Sequence, residues 1–96
     1  MRDFLRGAVR LHVLHHAAEA PVHGAWLAAE LARHGYRIGP GTLYPTLHRM
    51  EEEGLLTSRH EVAEGRRRRV YRATAKGRRT LDAMRRALRE LADELL

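Results

Sequence analysis

The chain has 96 residues, with 18 Lys+Arg against 12 Asp+Glu, a net charge of +6 and no cysteine. That length gives one small domain, which buries only ~60–65% of its unfolded surface and leaves part of its core for a partner chain to supply. The lack of cysteine excludes a disulfide framework and a thiolate zinc site and fits a reducing cytoplasm, no apolar run approaches the ~18–20 residues that span a bilayer, and the basic balance points to a polyanionic partner, either nucleic acid or an acidic surface.

A first helix is expected from Phe4 to about Ala18, where Leu5, Val9, Leu11, Val13 and Leu14 form an apolar stripe. Asp3 is available as its N-cap, and Pro21 marks the break. His12 and His16 stand at i, i+4 on it with His15 adjacent, a spacing that suits two ligands of a zinc or nickel ion. Four ligands are needed and only two are spaced for it, so the histidines are assigned to packing and surface roles, and no metal or cofactor is expected.

The segment "VHGAWLAAELARHG" predicts a second helix with Leu27 and Leu31 on one face, Gly24 and Ala28 beside them, and Gly35 as its left-handed stop. Trp26, the single tryptophan, projects away from that face. It is expected to pack under a neighbouring element, with a second reading as an aromatic wall of an effector or dimer cavity.

A third helix follows in "GPGTLYPTLHRMEEEGLL". Pro40 suits a first helical position, Leu43, Leu47 and Met50 mark the buried side, and Gly54 ends it. Gly41, Pro45 and His48 project opposite that stripe, flanked by Thr42, Tyr44 and Arg49. Pro45 removes a backbone hydrogen bond and is tolerated only because it lies near the start. The polarity of the segment, short polar groups first and Glu51, Glu52 and Glu53 last, aims the N-terminal half at DNA and the far end away.

After Gly54 the period changes to alternation over residues 56–61, with Val70 and Tyr71 in a second extended run and "AEGR" as a glycine turn. This predicts a two-stranded hairpin with a cationic tip, Arg66, Arg67, Arg68 and Arg69. Alternation sends neighbouring arginines to opposite faces, so two or three of the four are expected on one phosphate strand. Thr74 then caps a last helix in which Leu81, Met84, Leu88, Leu91 and Leu95 recur at heptad spacing, a seam suited to a matching helix from another subunit.

Three helices, a hairpin and a long helix give a mainly α fold with a small β-hairpin, a winged helix-turn-helix (residues 1–74) continuous with a C-terminal dimerisation helix (residues 75–96). At "PGTLYPTLHRMEEEGLL", "GRRRRVYRATAKGR" and "PVHGAWLAAELARHGYRIGPG" the sequence resembles the PadR family of bacterial transcriptional regulators, over nearly the whole chain. The resemblance implies a homodimeric repressor that binds double-stranded DNA with residues 40–53 as recognition helix and 65–69 as wing tip. It also implies that the last helix packs on helix 1 of the partner. Family members answer to differing signals, so a small-molecule effector of unknown identity is expected rather than a named one. No nucleophile elbow, phosphate loop or metalloprotease helix is present, which excludes the motif-bearing enzyme classes. The competing reading is a nonspecific nucleic-acid or acidic-surface module driven by Arg66–Arg69 alone.

Overall fold

The apolar stripe of the N-terminal segment becomes α1, Arg2–Glu19, in the computed structural model, which describes residues 1–96. The helix starts earlier than its stripe. Met1 is the N-cap residue and Asp3 lies inside the first turn, where a carboxylate still favours the positive end of the helix. Val9, Val13, Leu14 and Ala17 are the buried side of α1, whereas Phe4 and Leu5 remain exposed.

Pro21 does more than end α1. Ala20 before it is extended, and Val22–His23 form a two-residue strand, β1, instead of opening the next helix. Val22 and His23 pair antiparallel with Tyr71 and Val70, so the expected hairpin is part of a three-stranded sheet in the order β1-β3-β2. His23 then turns the chain into α2, Gly24–Arg33, its Nδ1 accepting the N–H of Trp26 at 3.3 Å.

Two helices end in the same way, at the glycines where the sequence predicted a stop. After α2, Gly35 takes φ 92°; its N–H bonds Ala32 O and that of Tyr36 bonds Leu31 O. After α3, Pro40–Glu52, Gly54 takes φ 78°, and Leu55 N–H returns to Met50 O. Both are Schellman closures, and in the second the accompanying apolar contact joins buried Leu55 and Met50.

The hairpin comprises β2, Leu56–Ala63, and β3, Arg66–Ala73, with Ala63 opposite Arg66 at the tip. Glu64 and Gly65 form its two-residue turn with φ 54° and 72°, the positive pair that matches the strand twist. Thr74 caps α4, Ala75–Leu95, through Gly77 N–H at 2.9 Å, while its own hydroxyl donates to Gly54 O at 2.6 Å.

The core draws Val13 and Leu14 from α1, Leu27 and Leu31 from α2, Leu43, Leu47 and Met50 from α3, Tyr71 from β3 and Leu81 from α4. Leu81 corrects the expected seam. It is buried in its own chain and Met84 is packed against the same cluster, whereas Leu88, Leu91 and Leu95 are exposed. Heptad spacing put the five on one face, but the first turns of that face are consumed internally. No helix is long and apolar enough to cross a membrane.

Candidate nucleic-acid interface

Burying Leu43, Thr46, Leu47 and Met50 leaves a definite outer face on α3. Gly41, Thr42, Tyr44, Pro45, His48 and Arg49, the six residues expected there, are all exposed. The two sides of that face differ. Thr42, Thr46 and Arg49 line a 670 Å³ cavity shared with Arg2 and Arg6 of α1 and Arg37 of the α2–α3 turn, and no carboxylate lines it. Tyr44 and His48 line a 550 Å³ groove between α3 and the sheet, with Glu51, Glu52, Arg69 and Tyr71.

Three of the cations on the first side, Arg2, Arg6 and Arg37, were missed by sequence reasoning. They come from a different helix and a turn, and nothing in their local spacing announces that they meet Arg49.

The N-terminus of α3 is open. Gly39 is its N-cap and offers no side chain, Pro40 has no N–H, and Thr42 and Leu43 N–H groups bond back to Gly39 O. Pro45 cannot donate to Gly41 O, and Thr46 Oγ1 donates to Thr42 O at 2.8 Å beside it. A side chain at Gly41 would meet nothing within 4 Å and its φ is ordinary, so neither internal packing nor backbone strain requires glycine there.

Gly24 is a different case. A Cβ on it would lie 2.5 Å from Tyr44 Cε1, so the tyrosine ring lies across the start of α2. Gly24→Ala is therefore expected to push the half-exposed Tyr44 ring aside at little cost in stability, below ~1 kcal/mol, because a flexible side-chain end can move. A melting curve close to that of the parent, with DNA affinity reduced about as far as by Tyr44→Ala, is the expected pair of results. Unchanged affinity would mean that the placement of the ring is immaterial.

The glutamates at the far end of α3 are anchors. Glu53 accepts two hydrogen bonds from Arg10 of α1, at 2.6 and 3.2 Å, and that guanidinium holds its carboxyl below the usual range. Glu51 accepts from Ser58 Oγ of β2 at 2.8 Å, and Ser58 in turn accepts from Arg69 at 2.8 Å. Glu52 stays exposed near His48, at 3.8 Å. The glutamate end of α3 is thus tied to α1 and to the hairpin, leaving the other end outward.

The four tip arginines separate by the same accounting. Arg68 is held by Glu61 at 3.0 Å, and Arg69 by Ser58 and His60. Arg66 and Arg67 are exposed, and no side-chain hydrogen bond or salt bridge engages them.

A second polar cluster lies where α1 meets α2. His12, His15, His16, His34, Tyr36 and Trp26 stack or meet edge-on, with ring centroids 4.9 to 6.3 Å apart. Trp26 packs edge-on to His16 of a neighbouring helix, α1, with centroids 5.1 Å apart. Burial first, then the neighbouring imidazoles, lowers the pKa of His12 and of His16. Glu30 is pulled down to about 2, chiefly by the hydrogen bonds of Arg33.

The model of the Transcriptional regulator PadR-like family matches residues 13–83. The chain is 67% identical over 96 residues to the transcriptional regulator Rv3488 of Mycobacterium tuberculosis, covering 100% of this chain and 90% of that protein. Among solved structures, a PadR family transcriptional regulator from Eggerthella lenta matches with TM-score 0.84 at 34% identity, over 97% of this chain and 82% of the other. A PadR-like transcriptional regulator from Bacillus cereus matches with TM-score 0.88 at 25% identity, over 97% and 92%.

Proposed function

The chain belongs to the PadR-like family of transcriptional regulators, which are not enzymes, and from that premise we propose that it is a homodimeric repressor binding an inverted-repeat operator. The observation that carries this reading is the outer face of α3: six exposed residues from Gly41 to Arg49, running from the open N-terminus of a helix whose other end is anchored to α1 and β2. Exposed Gly41, with no internal reason to be glycine, fits close approach of a DNA backbone. Tyr44 and His48 read bases from one side of α3, and Arg49 with Arg37 takes phosphates on the other. Arg66 and Arg67 lie along the backbone or minor groove as the wing.

Two copies are needed for two half-sites about one helical turn, ~34–36 Å, apart. Exposed Phe4 and Leu5 on α1, with Met1 just before it, and Leu88, Leu91 and Leu95 on α4 supply the apolar surface for pairing. Arg2 and Arg6 beside the first set are opposite in charge to Glu90, Asp93 and Glu94, which follow Arg85, Arg86 and Arg89 at the C-terminal end of α4. This charge match favours packing of α4 against α1 of the other copy.

The competing module driven by the arginine run is disfavoured by Arg68 and Arg69, which are engaged within the hairpin. Titration against the protein's own promoter region and against scrambled DNA at two salt concentrations tests the choice. A preference of ~10³-fold or more is expected. Tyr44→Ala or His48→Ala should cost ~1–3 kcal/mol on the operator alone, while Arg67→Ala should weaken both DNAs and flatten the salt slope by about one unit. Equal losses on both DNAs for all three variants would refute base reading by α3.

A further inference from the structure

Sequence spacing offers a cation only His12 and His16, but the fold brings two donors from α2 to meet them. His16 Nε2 lies 3.5 Å from Glu30 Oε2, and His34 Nε2 lies 3.1 Å from the same oxygen. One carboxylate oxygen thus stands between imidazole nitrogens of two different helices. The His12 ring adjoins both, with centroids 5.1 Å from His34 and 6.3 Å from His16. The side chains of His16 and Glu30 are 14% and 13% exposed, so the inner side of the site is sheltered, and His34 closes it from the solvent side.

We propose that His12, His16, Glu30 and His34 bind a divalent transition-metal ion, zinc by preference, that ties α1 to α2. Three imidazoles and one carboxylate without a thiolate suit a four-coordinate borderline cation. With metal–nitrogen bonds of ~2.1 Å, imidazoles sharing one tetrahedral ion have centroids roughly 5 Å apart. His12 and His34 already stand so, and His16, 6.3 Å from His12, must come about 1 Å closer.

The proton inventory supports the same four. Binding through Nε2 moves the proton of a neutral imidazole to Nδ1, and the Glu19 carboxylate, 3.8 Å from His16 Nδ1, could accept it after a small approach. Arg33 now contacts both oxygens of Glu30 at 3.0 Å; being 70% exposed, it has room to release Oε2 while holding Oε1 in place.

A rival set lies on α1 alone, where His15, His16 and Glu19 offer ligand atoms within 4.8 Å of one another. His15 is poorly suited. Its Nδ1 accepts an N–H from Arg85 at 2.8 Å, which keeps the proton of the neutral ring on Nε2, the nitrogen that faces Glu19. His34 has no such lock, and as the C-cap of α2 it stands at the turn leading to α3. An ion there would hold that turn against α1, whatever DNA the protein reads.

The experiment is calorimetric titration of tag-free, chelator-stripped protein with Zn²⁺, and with Co²⁺ followed by visible absorption. Expected are one ion per chain, micromolar or tighter affinity and the intense visible bands of four-coordinate cobalt. His34→Gln, His12→Gln and Glu30→Gln should each weaken binding at least ~10-fold, and His15→Gln should leave it unchanged. Melting of each variant in chelator identifies those that fold like the parent, and His34, exposed at the end of its helix, is the safest of them. Absence of binding, or binding that His34→Gln leaves intact, overturns the proposal. Loss on His15→Gln instead would place the ion on α1 alone and overturn it equally.

Discussion

Leu88→Glu is expected to leave each chain folded but monomeric, and to weaken operator binding by ~10²–10⁴-fold. Leu88 and Leu91 are 53% and 50% exposed, and the last residue of α4 buried in its own chain is Leu81. The second half of the helix therefore contributes little to the fold of one copy, and a charge at position 88 costs that copy almost nothing. In a dimer the same carboxylate would be desolvated on the apolar seam that Leu88 now fills, a penalty of several kcal/mol. DNA binding suffers because two linked half-site contacts gain ~10²–10⁴ in affinity over one without any new contact, and a monomer forfeits that gain. Sedimentation at several concentrations reads the first effect, and operator titration reads the second. A persisting dimer would mean that contacts other than the second half of α4 hold the two copies together.

The split of the seam shows what periodicity carries and what it omits. Spacing of three and four residues places Leu81, Met84, Leu88, Leu91 and Leu95 on one face, but it is silent on which chain covers them; the fold assigns Leu81 to its own core. The outer face of α3 was legible because burying Leu43, Leu47 and Met50 fixes the opposite side by geometry alone. Helix ends at Gly35 and Gly54 were legible because a positive φ needs a particular residue type. By contrast β1 is two residues long, too short for any alternation, and exists because β3 offers it an edge. Arg37 joins Arg49, and Glu30 and His34 join His12 and His16, only because separate elements cross. The three glutamates illustrate the same limit. Their shared charge suggested one role, and their contacts gave them three: a clamp on α1, a tie to β2 and an exposed position near His48.

Gly77→Ala is expected to lower stability by ~3 kcal/mol or more, although it adds a single methyl group to a helix that alanine favours. Gly77 lies in the first turn of α4, against the loop that follows α3. A Cβ there would overlap Leu55 O and sit 3.4 Å from Leu14 Cδ2. The carbonyl cannot turn away cheaply, because it accepts the N–H of Thr74 at 3.1 Å. Three further bonds fix the same junction: Thr74 Oγ1 to Gly54 O, Lys76 Nζ to Glu53 O and Gly77 N–H to Thr74 Oγ1. Relieving the overlap means moving α4 outward, which strains this cap, worth ~0.5–2 kcal/mol, and uncovers Leu81 and Leu14. The gain of up to ~1 kcal/mol from replacing glycine in a helix is too small to compensate. For a domain of this size the melting temperature should fall by roughly 12 °C or more. Gly7→Ala, in the middle of α1 with nothing within 4 Å of the new Cβ, should instead raise stability by up to ~1 kcal/mol. Thermal melts of the two variants beside the parent, at equal chain concentration, make the comparison; equal melting of Gly77→Ala and parent would show that α4 can leave Leu55 without loss.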